Sequence, residues 1–395
     1  MREQAELKEY QDKELDYECL PTVSLSDISR EVVPTDRETR TIGNVKVHFY
    51  DQPTNGISYV RVKANLKNLP ERLRIFLPMF SELLGSIGTK STRYDAFNNK
   101  MLNCSSGLSV SVDKFSNTED HLDLLDRHEQ IMVSTGFLDR NTEKAFECLS
   151  EILATPNFDE PGNISDLVKM QAINLQNGIG TKGLQYARSY SSSGLKAFAR
   201  SHEGLRSDIF WCQYAAMLQD QQDPILADAI SNMQEIASYI FREENLEIAV
   251  HGSSEKFDQM QGQIESLLGS IAKENSRYSE RHSDLLVLPE FNGKQTLYKN
   301  YFMTPEQVNH CCESMVGPTR FNTQDFGNMM VLADLLTFGF LLPSIREKGG
   351  AYGAGCGAND SGIISFYSYR DPNCDATFEN FERGVKEVIA GNFTQ

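Results

Sequence analysis

Basic residues are scarce in this chain of 395 residues: 38 Lys and Arg face 55 Asp and Glu, a formal net charge of −17. Such a surface repels phosphate backbones, so nucleic acid is not an expected partner, and the field favours basic ones. Long apolar runs are absent too. The most apolar stretch, residues 329–345, is interrupted by Asp334, Gly339 and Pro343 and reads as a buried helix, so no membrane is expected. Residues 1–18 hold seven acidic against three basic residues, the reverse of a transit peptide, and lack the apolar core of a secretory signal. The eight cysteines (Cys19, Cys104, Cys148, Cys212, Cys311, Cys312, Cys356, Cys374) form no CxxC pair, which suits buried thiols in a reducing compartment.

Catalytic signatures are missing in the same way. The chain has no Walker loop, dinucleotide fingerprint or GxSxG elbow, and neither HExxH nor HxxEH. His121 and His128 lie seven apart and could share a helix face, but no third ligand accompanies them, so solvated histidines are the plainer reading. In His310-Cys311-Cys312, strand alternation sends the two thiols to opposite faces, out of reach of one ion. No metal or other cofactor site is expected within this chain.

What is present describes a folded protein. Apolar residues make up 40%, charged residues 24% and aromatics 10%, enough for two or three ordinary domains. Residues 1–41 read as a polar helical remnant and connector. Residues 42–272 read as a complete α/β domain. It starts with a hairpin (45–50 and 57–66 around Pro53-Thr54-Asn55-Gly56) and a helix over 70–84 that Pro78 should kink or split. A strand at 107–112, a long helical stretch and a strand at 246–250 follow. The polar stretch 273–284 is the expected linker. Residues 285–395 restart the order as a second, partial domain: a strand pair region over 296–315, a helix over 324–342, a glycine-rich strand at 351–356, a strand at 362–369 and a helix over 376–389. The fold class is therefore α+β, two related domains of mixed sheet packed by helices, the second apparently truncated. The glycine alternation Gly353, Gly355, Gly357 leaves one strand face bare, where another backbone could approach.

Residues 345–355, IREKGGAYGAG, are the most informative stretch. An apolar helix ends at Arg346-Glu347-Lys348, two glycines turn the chain, and a strand begins near Tyr352. This places a guanidinium and a phenol at one end of a sheet, able to offer a charged fork and a neutral donor to a carbonyl or developing oxyanion. A helix-terminal cation and a core tyrosine would have the same sequence.

Together with FYSYRDP (366–372), CLPTVSLSDI (19–28), QPTNG (52–56), LDRN (138–141) and LVKMQAINLQNGI (167–179), this stretch resembles the C-terminal half of the presequence-degrading branch of the pitrilysin/insulin-degrading enzyme superfamily, the inverted-motif zinc metallopeptidases. The resemblance runs along nearly the whole chain. It implies four related α/β domains in two bowls around a peptide chamber. It also implies zinc ligands and a glutamate base in an N-terminal half, and an arginine and a tyrosine from the C-terminal half holding the substrate backbone. By that carry-over, Arg346 and Tyr352 are the functional residues. The implied cofactor is zinc bound by the other half. The implied partners are short, basic peptides such as cleaved mitochondrial presequences and the N-terminal catalytic half, and the implied location is the mitochondrial matrix. Without HxxEH the chain alone is expected to cleave nothing. The other reading from the same resemblance is a non-catalytic scaffold or interaction subunit, to which Arg346 and Tyr352 would be of no use.

Overall fold

The computed structural model describes residue 21 and residues 23–31, 34–201, 203–218, 223–275, 291–297, 299–304 and 306–393. The helical remnant expected within 1–20 and most of the linker expected at 273–284 lie outside the described residues. Residues up to 37 form a unit of their own, in which Ser24 and Asp27 bracket a single 3-10 turn, Leu25–Asp27, the Ser24 N–H donating to the Asp27 carboxylate at 2.8 Å.

The second unit, residues 38–395, is mixed α/β and contains two sheets among the described residues. The first has six strands: β1 (Glu38–Ile42), β2 (Val45–Asp51), β3 (Ile57–Asn65), β4 (Ser109–Phe115), β5 (His128–Leu138) and β6 (Leu246–Gly252). They lie in the order β1-β2-β6-β3-β5-β4. The expected hairpin is therefore corrected. The turn forms, with Asn55 and Gly56 both left-handed, but β6 lies between β2 and β3, parallel to the first and antiparallel to the second. Leu246, Ile248, Ala249 and Val250 are buried on both faces of β6, which suits a central strand and not an edge. β3 alternates as its sequence does, with Val60, Val62 and Ala64 facing the core and Arg61 and Lys63 facing away.

Helices Leu77–Leu84, Thr142–Ala154, Pro224–Ile240 and Phe257–Asn275 supply the apolar stripes that complete this core, through Phe80, Phe146, Met233 and Leu267. Pro78 does split its helix, leaving a single turn at Glu71–Arg74 before Leu77–Leu84. Buried charges at the edge of this core are paired. Arg74 meets Glu71 at 2.8 Å and also Glu129, and Arg72 meets Glu235.

The second sheet has three antiparallel strands in the order β7-β9-β8: β7 (Cys312–Val316), β8 (Gly353–Ala358) and β9 (Ile363–Tyr369). The strand pair expected over 296–315 is thus a single strand, preceded by non-regular chain in the described residues. One face of this sheet carries Cys312, Ser314, Ser365 and Tyr367, and the helix Gly183–Ser192 lies across it. Ser191 Oγ shares a hydrogen bond of 2.6 Å with Ser314 Oγ, and the Arg188 guanidinium stacks 4.1 Å over the Tyr367 ring. The glycine face expected to be bare is closed by side chains at Gly355, while a Cβ at Gly353 would meet nothing within 4 Å and one at Gly357 only the Arg188 guanidinium at 3.8 Å. A Cβ at Gly355 would stand 2.9 Å from the Tyr367 phenol oxygen and 3.1 Å from Thr337 Oγ1.

The other face is covered by helix Thr323–Leu336, its continuation Thr337–Glu347, and helix Asp375–Ile389. The continuation is a π-helix holding Pro343, whose carbonyl accepts the Lys348 N–H five residues on, at 3.2 Å. By length and composition Thr323–Glu347 could cross a membrane. Ala333, Leu336, Leu341 and Ile345 pack in the core of the small sheet. The expected buried helix is buried on one side only, with Met330, Val331 and Phe338 exposed on the other.

Candidate functional site

The site begins where the π-helix ends. Leu341 and Ile345 anchor its inner stripe in the core, and Thr337 Oγ1 accepts the Cys356 N–H at 2.9 Å, tying the helix to β8. Arg346, Glu347 and Lys348 then emerge into solvent. The two glycines that follow are required by geometry. A Cβ at Gly349 would stand 2.5 Å from the Ile345 carbonyl oxygen, and Gly350 has φ +82°, open to glycine alone without strain. Because the turn is so tight, the Gly350 N–H donates to the Arg346 carbonyl at 2.9 Å and the Ala351 N–H to the Ile345 carbonyl at 3.1 Å. Arg346 and Tyr352 therefore leave from the two arms of one hydrogen-bonded turn.

Tyr352 is 69% exposed. Its N–H is shared between the carbonyls of Tyr369 at 3.1 Å and Arg370 at 3.3 Å, and its ring meets the Tyr369 ring edge-on at 5.8 Å. Among the described residues the Arg346 guanidinium has no ion-pair partner and the Tyr352 hydroxyl no hydrogen-bond partner. Their donors are idle among the described residues. A carbonyl oxygen brought between them would meet one cationic fork and one neutral O–H.

The support beneath this turn was not anticipated. Asp371 is fully buried, and its carboxylate accepts from Thr377 Oγ1 at 2.6 Å and from the Asn373 N–H at 2.9 Å. Asn309 pairs with the Asp371 backbone in both directions, at 2.7 and 2.9 Å. Asn373 Nδ2 in turn donates to the Gly349 carbonyl at 2.8 Å. The Asp371-Pro372 step after a strand is the sequence signal that could have pointed here, since Asp and Pro favour turns.

The other sequence candidates fall elsewhere. His121 sits in a turn and His128 opens β5, stacked on Phe115 at 5.6 Å with Nε2 3.1 Å from Asp126, so the two share no helix face. Cys311 and Cys312 do point apart. The Cys311 thiol lies 4.0 Å from Cys374, and Cys312 accepts from Ser191 Oγ at 3.2 Å. Burial pushes the Cys311 thiol up to about 12 and Cys356 up to about 11, which keeps both protonated and unreactive at neutral pH. No group of three or more His, Cys, Asp or Glu among the described residues is arranged to hold a metal ion. These residues do not fit a zinc site, and no step below is routed through a metal.

Residues 1–207 match the family model of the region associated with the M16 peptidases of subfamily C. The chain belongs to that peptidase family. Residues 231–395 match a second model of the M16 peptidases, described as the peptidase M16 inactive domain. Among curated relatives, the chain is similar to the mitochondrial presequence proteases of Danio rerio (31% identical) and Xenopus laevis (29%), over 96% and 99% of its length. It is also similar to that of Schizosaccharomyces pombe, at 25% identity over 98%. The resemblance read from the motifs is thereby borne out. The chain spans 38% of the zebrafish protein and 39% of the frog one. Among solved structures, the M16 inactive domain from Pseudomonas fluorescens aligns with 91% of this chain and 81% of its own, at TM-score 0.56 and 14% identity. The periplasmic protease PqqL of Escherichia coli aligns with 98% of this chain and 41% of its own, at TM-score 0.56 and 14% identity. At such identity the likeness shows the M16 fold.

Proposed function

We propose that this M16 chain is the C-terminal, substrate-holding half of a zinc metalloendopeptidase that degrades short peptides such as cleaved mitochondrial presequences. In this reading Arg346 and Tyr352 hold the peptide backbone while the complementary N-terminal half carries the zinc. The observation that supports it most is the pair of unpartnered donors, Arg346 and Tyr352, rooted on one hydrogen-bonded turn. Their task follows from their chemistry. The guanidinium donates to a substrate carbonyl and fixes the scissile peptide. The phenol donates to the same region, and both bonds strengthen as negative charge gathers on the carbonyl oxygen. The net charge of −17 would draw in basic peptides, and relatives named as mitochondrial point to the matrix as the place of work.

The test uses the assembled enzyme, with this chain joined to its metal-bearing half. Arg346→Ala should lower turnover by about 10²–10³, on the order of 2.7–4 kcal/mol, with bound metal and melting temperature unchanged. Full activity in that variant would remove Arg346 from the mechanism and favour the scaffold reading.

A further inference from the structure

Tyr352 precedes β8 and is 69% exposed, so its position has to come from contacts outside that strand. The corner where β9 ends is where its backbone and its ring both find partners. We propose that Tyr369 and Arg370 are positioning residues for Tyr352, Tyr369 through its ring and Arg370 through a left-handed backbone turn, so that the phenol is in place before a peptide arrives. The proposal rests on the clamp reading above.

Three observations carry it. Both Tyr369 and Arg370 carbonyls converge on the single Tyr352 N–H. Two successive carbonyls cannot point the same way in an extended strand, where they alternate. The chain must turn at that step, and Arg370 does so at φ +47°. The only other non-glycine residue with positive φ among the described residues is Asn55, a type that tolerates this region, whereas arginine there is strained. Strain of this kind persists where the surroundings over-determine it, and here Asn309 and Thr377 lock the following Asp371 on both its backbone and its carboxylate.

The rings are the third observation. Tyr352 stands edge-on to Tyr369, and that ring is braced by the His310 ring at 5.2 Å and by the Arg370 guanidinium at 5.6 Å. His310 is fixed in turn against the helix Gly183–Ser192, since a Cβ at Gly183 would lie 2.3 Å from its ring. The line of contacts runs from that helix through His310 and Tyr369 to the phenol.

The experiment has two arms. In the 395-residue chain, hydrogen exchange at the Tyr352 amide should be slow in the wild type, in Tyr369→Phe and in Arg370→Gly, which adopts the left-handed turn freely. In Arg370→Val, which cannot adopt it, exchange should be faster by about ten-fold or more. Equal exchange in all four proteins would overturn the role given to Arg370.

In the assembled enzyme, Tyr369→Leu should lower kcat, by up to the roughly 10²-fold that a ~1 Å misplacement costs, with KM little changed, and Tyr369→Phe should restore it. In a Tyr352→Phe background the Tyr369→Leu change should cost almost nothing further, because the group it positions is already gone. A cost that is the same in both backgrounds would mean a merely structural Tyr369 and would overturn its positioning role. Tyr352→Phe being silent by itself would instead overturn the clamp reading, while amide exchange still decides whether the corner holds Tyr352.

Discussion

The two sheets of this chain spend their residues differently. The six-stranded sheet is closed in by helices, its buried Arg72 and Arg74 are paired with Glu235 and Glu129, and its rings interlock, as where Phe76 meets Trp211 edge-on at 5.6 Å. The three-stranded sheet has a smaller core, a glycine-rich strand, a π-helical turn and an exposed apolar outer face. Yet it is beside the small sheet that a guanidinium and a phenol, Arg346 and Tyr352, leave one hydrogen-bonded turn unpartnered among the described residues and exposed to solvent.

That contrast can be broken by substitution. Phe80 is fully buried and stacks with Phe158 at 6.4 Å. Phe80→Ala should destabilise the fold by about 3–5 kcal/mol, read as a lower urea midpoint. A loss under ~1 kcal/mol would show that this core is looser than described.

The next effect is a pH dependence. Lys114 on β4 donates to the Ser201 carbonyl, and burial together with the nearby Arg74 and Arg127 guanidiniums pulls its ammonium down to about 8 from 10.5. Between pH 8 and 10.5 the unfolded chain keeps a proton that the folded chain has released. Stability should therefore rise with pH through that window, by something on the order of 2 kcal/mol given its partial exposure. Melting temperature measured against pH should show this rise relative to Lys114→Met; parallel curves for the two proteins would contradict it. The smallest effect belongs to the small sheet's outer face. Phe338 is exposed, so Phe338→Ser should change stability by less than about 0.5 kcal/mol. A larger loss in thermal unfolding would mean that this face is packed.

How much of this the sequence disclosed follows the same division. The alternation of β3, the break at Pro78 and the order helix, double glycine, strand around Tyr352 are local patterns, and they are where the sequence places them. The misses are non-local. β5 went unrecognised although Ile131, Val133 and Phe137 alternate toward the core, and β2 and β3 were paired with each other because nothing near their turn announces a strand almost two hundred residues on. The π-helix is not distinguishable from an ordinary helix in the sequence, because a short apolar stripe fits either period. At the site, the double-glycine turn that links Arg346 to Tyr352 is legible from the sequence. The bracing by Asn309, Tyr369 and Asp371 is not, since it joins chain segments that no local pattern links, Tyr352 to Tyr369 across a β-hairpin and Asn309 to Asp371 more than sixty residues on.

The central claim is that Tyr352 acts on a substrate and not on the fold. The measurement that bears on it most directly is kcat/KM of Tyr352→Phe in the assembled enzyme, taken beside the melting temperature of the same protein. The ring and its edge-on contact with Tyr369 survive this change, so only the hydroxyl is lost. The account predicts an unchanged melting temperature and a fall in kcat/KM of about 10²–10³. Wild-type kcat/KM would contradict it.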